Sequence, residues 1–478
     1  MRFPRFLAHV LVPAFLILPA LSSAADRDLL EALLENGAIT QEQFDKLIEK
    51  ETLSTDDVLT EPEPAAAEEA AAPAEQPETT AEAPEPKKDD GSASVSYGSK
   101  GFRFETADGN FQTNLQWRAQ LRYSYPLDAD PRQLGSFEDT PGGSFEPRRL
   151  RMKIGGHGFK PWLKYYFEVD LQPARDPDAN AISSAARVID YRIDIAKRED
   201  IGLRVGQWKI DFNRERVDSS GKQQFVERSI VNRIFTLDRQ VGVQLRGRLF
   251  SETMADMRYF VGAFNGEGRG TRNVGNDNMY VGRLQWNFLG KDVPYTQTDV
   301  EFTDDPAASL SFGTATTVGP CTRWSSSGCG SLDGFTNFLL ATEDQFEIDQ
   351  HVQEFAFKYR GFSIQQEYHW KNIDDRVENI KNELTGGYFQ TGYFFHGLFE
   401  AFPKPLELAV RYAFVDEPNA TDRLLENNRE EYSIAANWFF NGHRNKLTVD
   451  YSYLTIDDAF LNATDSQNRF RVQWDVSF

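Results

Sequence analysis

The sequence predicts an all-β chain: a 16-stranded antiparallel transmembrane β-barrel with an inserted third loop, preceded by a short helical segment and a disordered linker. Three observations carry this. Sixteen runs alternate polar and apolar residues with the two-residue period of a strand. The connections between them are mostly short and long by turns, as in barrels with turns at one rim and loops at the other. And although 13% of residues are aromatic and the mean hydropathy is −0.54, nothing after the N-terminus is apolar over the about 20 residues that a membrane helix needs. A barrel strand crosses with about 9–11 residues and keeps one face polar, so low hydropathy is compatible with a membrane.

Residues 1–24 open with Arg2 and Arg5, run through an apolar stretch from Leu7 to Leu18 and end in Ser22-Ser23-Ala24, the form of a secretory signal. In residues 26–52, Leu29, Leu30, Leu33 and Leu34 fall at helical spacing, and Thr40 to Gln43 has the form of a capping box before Phe44, Leu47 and Ile48. Residues 53–97 are largely Ala/Pro/Glu-rich and read as a spacer in the periplasm. The formal charge of −21 divides unevenly. Asp26 to Asp90 hold twenty acidic and five basic residues, a net of −15; with Arg2 and Arg5 in the leader, the remainder carries −8. Most of the acidity therefore says little about what the barrel passes.

The barrel is expected over 98–478. After a hairpin-like piece at Gly101 to Thr106, the first long run sets Leu115, Trp117, Ala119, Leu121 and Tyr123 against Asn114, Gln116, Arg118, Gln120 and Arg122. The runs recur to the last, where Phe470, Val472, Trp474, Val476 and Phe478 oppose Arg469, Arg471, Gln473, Asp475 and Ser477. Tyr123, Trp162, Tyr412, Trp438 and Tyr453 suit interfacial girdles. One connection breaks the alternation: 289–307 should be a turn and is long. Another, Asp211 to Phe235, is too long for an ordinary loop and not low in complexity, which marks a structured functional segment.

If the apolar faces meet lipid, the polar faces line water and their charges select ions. The first strand then presents Arg118 and Arg122, the second Arg149, Arg151 and Lys153, and the last Arg469 and Arg471; closure makes these one basic wall with no acid on that face before Asp475. Arg246 and Arg248 fall on the same polar period farther round. Arginine suits phosphate because its planar fork offers paired donors and its charge does not titrate away. The loop mixes Arg214, Arg216, Lys222, Arg228 and Arg233 with Asp211, Glu215, Asp218 and Glu227, so ion pairs of its own are expected.

The series Gly206-Gln207-Trp208-Lys209, Phe212, Glu215, Phe225-Val226-Glu227-Arg228-Ser229 and Asp238-Arg239-Gln240-Val241-Gly242-Val243-Gln244-Leu245 resembles the phosphate-selective porin family, the porin O and P type. The resemblance runs from about Gly101 to Phe478. It implies a Gram-negative outer-membrane porin whose third loop enters the lumen as a constriction, bringing Arg214, Arg216, Lys222, Glu227, Arg228 and Arg233 with it. It implies a homotrimer, passage of phosphate, polyphosphate or other small anions along arginines and lysines, and a final phenylalanine read by the assembly machinery. The inward positions Glu168, Asp170, Asp190 and Asp194 depart from a purely basic lining, which leaves a general or weakly selective porin, or a structural barrel tethered in the periplasm, as alternatives.

Catalysis is not expected. Of the histidines outside the leader, His157, His396 and His443 fall in or beside short turns, and neither they nor His351 and His369 stand in a serine or aspartate constellation. Cys321 and Cys329 share one loop-like segment with no histidine near, which favours a local disulfide over a metal site. No cofactor and no nucleic-acid partner are expected.

Overall fold

The computed structural model describes residues 92–126, 142–171, 186–235, 237–266, 268–270, 273, 277–319, 342, 344–419 and 424–478, with the side chain of Arg233 excepted. The signal (1–24), the helical segment (26–52), all but the end of the linker, and both cysteines lie outside the described residues.

The alternating runs form strands because each buries one face and shows the other. A hairpin of β1 (Ala93–Gly98) and β2 (Gly101–Thr106) precedes β3 (Gln112–Tyr125), β4 (Ser144–Gly158), β5 (Lys160–Asp170), β6 (Arg187–Ile195) and β7 (Gly202–Lys209). Next come β8 (Arg239–Leu249), β9 (Met257–Phe264), β10 (Met279–Trp286), β11 (Ala307–Gly319), β12 (Phe346–Tyr359) and β13 (Phe362–Asp375). The last are β14 (Ile380–Tyr393), β15 (Leu406–Pro418), β16 (Glu426–Asn441), β17 (Asn445–Asp458) and β18 (Ala463–Ser477). β3 to β18 are the sixteen barrel strands the alternation predicts, each antiparallel to the next. β18 closes the barrel on β3 in a register running from Ser477 opposite Arg118 to Phe470 opposite Tyr125. Closure leaves no barrel edge for lipid to meet.

The pleat sorts the side chains as expected. On β3 Trp117, Leu121 and Tyr125 are exposed while Arg118, Gln120, Arg122 and Ser124 are buried inside; on β18 Phe470 and Trp474 are exposed while Arg471, Gln473 and Asp475 are buried.

The first hairpin corrects the linker boundary. β1 occupies residues assigned by composition to the spacer, and β2 pairs with β3, from Glu105 opposite Gln112 to Phe102 opposite Leu115. β3 thus has two partners along one edge, and Phe478 and Trp117 exchange main-chain bonds of 2.9 and 3.0 Å where they meet. Gly101 is required there: its φ is +80°, and a Cβ would collide with the Leu115 carbonyl.

The irregular connection 287–306, between β10 and β11, is not a surface turn. It folds inward, burying Val293, Thr296, Gln297, Thr298 and Asp299. Asp299 organises it by accepting from the Gly361 N–H (2.7 Å) and the Thr303 N–H (3.1 Å).

Candidate functional site

The third long connection, 210–238, enters the barrel interior. Its apolar residues Ile210, Phe212, Ile230, Val231, Ile234 and Phe235 pack against inward apolar positions that include Phe346, Ile348, Val352, Ile373 and Leu384. Two short helices form in it, α1 (Arg214–Val217) and α2 (Val231–Phe235). Asn213, which precedes α1, has extended geometry and gives α1 no side-chain cap; its amide donates instead to Glu367 at 3.0 Å. Wall carboxylates supply the missing acceptors. The Glu215 N–H donates to Glu367 (2.6 Å), the Arg214 N–H to Glu354, and the Ile230 N–H, just before α2, to Glu431 (2.9 Å). At the far end of α2, Lys371 donates to the Ile234 carbonyl at 3.0 Å and Gln350 to that of Phe235. Orphan N–H groups thus meet acids, and orphan carbonyls meet a cation and an amide.

The inward connection 287–306 fastens the loop from the other rim. The Gln297 N–H donates to the Lys222 carbonyl at 3.0 Å, and the Gln224 N–H to Gln297 Oε1 at 2.9 Å. Arg214 lies over the Tyr295 ring at 4.9 Å and donates to the Val293 and Pro294 carbonyls.

The ion pairs expected within the loop give way to pairs with the wall: Glu227 pairs with Arg122, Asp211 with Arg246 and Glu215 with Arg411. Arg228 donates mainly to loop carbonyls, those of Glu215 and Asp218, both at 2.7 Å, while Arg216 pairs with Asp238 just beyond. Burial, with Arg216 close by, lowers Arg228 to about 9. Burial raises the Glu215 carboxyl to about 6; Arg411 opposes the shift and Glu367 adds to it. Lys222 is exposed.

The continuous basic wall needs correction. Closure does bring β18, β3 and β4 side by side, yet acids from neighbouring strands and from the loop stand among the cations. Arg118 pairs with Asp475 (3.4 Å) and donates to Ser219 and Ser220. Arg471 pairs with Asp450 (2.8 Å), and Arg151 with Glu168 (3.0 Å) and Asp170 (3.2 Å). Arg122 reaches Glu227 at 2.8 Å, and Arg469 donates to Gln467 at 2.8 Å. Arg118, Arg122, Arg469 and Arg471 are buried, whereas Arg149, Arg151, Lys153, Arg246 and Arg248 are partly open. Arg246 pairs with Asp211 (3.2 Å) and Arg248 with Asp256 (2.6 Å).

The lumen therefore has two unlike halves. Along β12 to β17 the inward groups, among them Glu354, Lys371, Glu407, Arg411 and Lys446, are covered. Along β4 to β9, Glu168, Asp190, Gln207, Arg239 and Gln244 are buried too, but Arg148, Arg192, Arg246 and Arg258 keep side-chain exposures of 26%, 22%, 24% and 28%.

A closed polar-lined barrel narrowed by its third loop is channel architecture, and comparison with known sequences decides the family: the model for "Phosphate-selective porin O and P" matches residues 115–478. The chain belongs to that family. It is accordingly an outer-membrane channel protein, not an enzyme. Among solved structures, Salmonella typhi OmpF in complex with daunomycin matches at 11% identity and a TM-score of 0.51, over 77% of this chain and 98% of that one. The outer membrane channel DcaP of Acinetobacter baumannii matches at 12% and 0.50, over 77% and 97%. At such identities the similarity shows the fold. No curated protein sequence matches.

Several lumen groups of this porin escaped the sequence reading. Arg192, Arg204, Arg239 and Arg258 lie on strands the alternation located and could have been found by following the polar period farther round. Arg148 could not. It sits at a bulge where the register slips between Gln120 and Leu121, so that Arg148 and Arg149 both reach Glu227. Tyr295 and Gln297 act through the inward connection, whose direction no local pattern reveals.

Proposed function

We propose that this porin passes small anions, phosphate and polyphosphate foremost, by diffusion along the β4–β9 side of the lumen, with the loop 211–235 as its constriction. One observation carries the reading: among the described charged side chains of these strands the most open are cations, although Arg149, Arg151, Arg204 and Arg239 are as covered as the acids. Glu168, Asp170 and Asp194 keep side-chain exposures of 6%, 9% and 16%, against 22–28% for Arg192, Arg246, Arg258 and Arg148. A permeant ion meets guanidinium first. Charge beside a narrow water column acts at short range, where salt, which screens exposed charge within roughly 8–10 Å, weakens it least.

In this reading Arg148, Arg149, Arg151, Lys153, Arg246 and Arg248 touch the ion, while Arg118, Arg122, Arg469 and Arg471 hold the wall and loop in place. Long loops face the medium and short turns the periplasm, where residues 26–92 hang; three copies assemble in outer-membrane lipid, and the assembly machinery reads β18. The acids Glu168, Asp170, Asp190 and Asp194 on the same side favour a second reading, a weakly selective porin. Planar-bilayer recording separates the two. Under a salt gradient the reversal potential should have the anion-selective sign, and phosphate should reduce chloride current. A reversal potential near zero without phosphate block supports the weakly selective channel.

A further inference from the structure

The connection between β14 and β15 lies at the short-turn rim and carries the run from Phe394 to Phe402. Phe395, Leu398, Phe399 and Phe402 fall at i, i+3, i+4 and i+7, which sets four large apolar side chains on one face of a helical turn. The chain holds this turn together by itself. The Leu398 and Phe399 N–H groups donate to the Phe395 carbonyl at 3.0 and 2.9 Å, and the Phe402 N–H to that of Phe399 at 3.0 Å. The His396 ring donates from Nδ1 to the Phe402 carbonyl at 2.7 Å. Phe394 roots the turn: it is buried, with its ring 5.0 Å from that of Phe302 on the inward connection and 5.5 Å from that of Phe439 on β16.

The surface so presented is apolar. Leu398 and Phe399 are 66% and 57% exposed. Single aromatics stand out at other turns of this rim, Phe159 and Phe250, but here apolar groups gather on one face, and gathered exposure marks a surface that something covers. The next hairpin at the same rim turns through Gly442-His443-Arg444, so contact with water alone does not call for phenylalanine.

The covering is indicated by continuity with the lipid-facing wall. Phe357, Phe362 and Tyr393 lie on the outward period of β12, β13 and β14. Their rings run into the turn: Phe357 to Phe362 at 6.2 Å, Phe362 to Tyr393 at 6.1 Å, Tyr393 to Phe395 at 5.2 Å, Phe395 to Phe402 at 5.5 Å and Phe402 to Phe399 at 6.3 Å. Glu400, off that spacing, and Lys404, just beyond it, are exposed. A turn with one apolar face and charged neighbours, joined to the wall that meets acyl chains, fits the headgroup boundary of a bilayer.

We propose that residues 394–405 form a foot seated in the phospholipid of the inner leaflet, with Leu398 and Phe399 below the headgroups and Lys404 reaching a lipid phosphate. The leaflet follows from the orientation proposed above, with short turns toward the periplasm; the seat in lipid depends neither on that orientation nor on which ion passes. So held, the foot fixes the depth of the β14–β15 hairpin and, through Phe394 against Phe302, the base of the inward connection.

The test uses the full-length porin in phosphatidylcholine vesicles. Phe399→Trp is the reporter, read as the difference from the parent's eight tryptophans; Leu424→Trp, at a residue 94% exposed on the long-loop rim, is the reference in water. Bromine near the carbonyl end of the acyl chains should quench Phe399→Trp more than bromine near the methyl end, because an interfacial element reaches only about 5–10 Å into the boundary. Acrylamide in the water should quench it several-fold less than Leu424→Trp, and Leu398→Trp should repeat the pattern. Quenching by acrylamide with none by bromine would put the turn in water and overturn the proposal. Protection from both quenchers would seat it against protein, such as a second copy of the chain, and overturns it equally. Stronger quenching by the deeper bromine would make the segment ordinary membrane-spanning wall, which overturns it as well.

Discussion

The main-chain N–H of Gln224 donates to the side-chain carbonyl of Gln297 across 2.9 Å, joining a loop that enters from one rim of the barrel to a connection that enters from the other. Gln297→Ala deletes the acceptor and leaves a buried N–H unpaired, a cost of about 1–3 kcal/mol. Single-channel records should show larger open-channel noise at nearly unchanged reversal potential. Quiet records identical to the parent would mean the two segments do not steady one another.

Arg151 and Arg118 should behave differently although both were read from sequence as pathway residues. Removing Arg151 leaves Glu168 and Asp170 without a guanidinium at 3.0 and 3.2 Å on the partly open side. Arg151→Ala should shift permeability toward cations by roughly threefold in dilute salt, where screening is weak, and weaken phosphate block. Arg118→Ala breaks a buried pair with Asp475, at about 3–5 kcal/mol, and should lower thermal stability more than it alters selectivity. Equal selectivity shifts in the two variants would contradict the division of the lumen.

Acidity should tighten the docked loop through Glu215. Its carboxyl, about 6 when docked against an ordinary value of 4.5, faces Arg411 and Glu367 on the wall and Arg228 and Ser229 in the loop. A raised value means that the docked form binds the proton more readily, so this contribution is complete below about 4.5 and is lost as pH climbs through about 6. Open-channel noise should grow between pH 5 and 7, and Glu215→Gln should flatten that trend, as recordings across the range can show.

Topology is checked by accessibility. An epitope inserted at 325–328 should be reached by antibody on intact cells, and one at 441–444, between β16 and β17, should not. Reversed labelling would invert the assignment of the rims.

Cys321 and Cys329, in a connection on the long-loop side, are expected to be bridged, since a secreted pair so close in sequence has both oxidant and reach. Protein purified without reductant should resist alkylation until reduced. Ready modification of both thiols would refute the bridge.

The strands were legible because lipid on one side and water on the other impose a two-residue period that needs no knowledge of neighbours. The loop was legible from its length. The pairing of the arginines was not: Arg122 finds Glu227 after a hundred residues of intervening chain, and Arg148 turns inward at a register slip that the run Arg148-Arg149-Leu150-Arg151 does not announce. β1 was missed although Val95 and Tyr97 alternate with Ser94 and Ser96, because a short exposed strand adjoins a low-complexity spacer. The unusual length of 289–307 was visible, but its contacts lie on Lys222, Gln224 and Lys358, distant along the chain.

The unequal halves of the lumen give one barrel two rules of mutational tolerance. An inward substitution on β12 to β17 meets packed loop atoms, so at Lys371 or Glu407 it acts as a change in a protein core and is read out in folding yield. A substitution at Arg192, Arg246 or Arg258, on β4 to β9, meets water, leaves the fold standing and is read out in what crosses. A library randomised over every inward position would therefore separate into variants lost from the membrane and variants altered in traffic, and the line between them would trace the outline of the inserted loop.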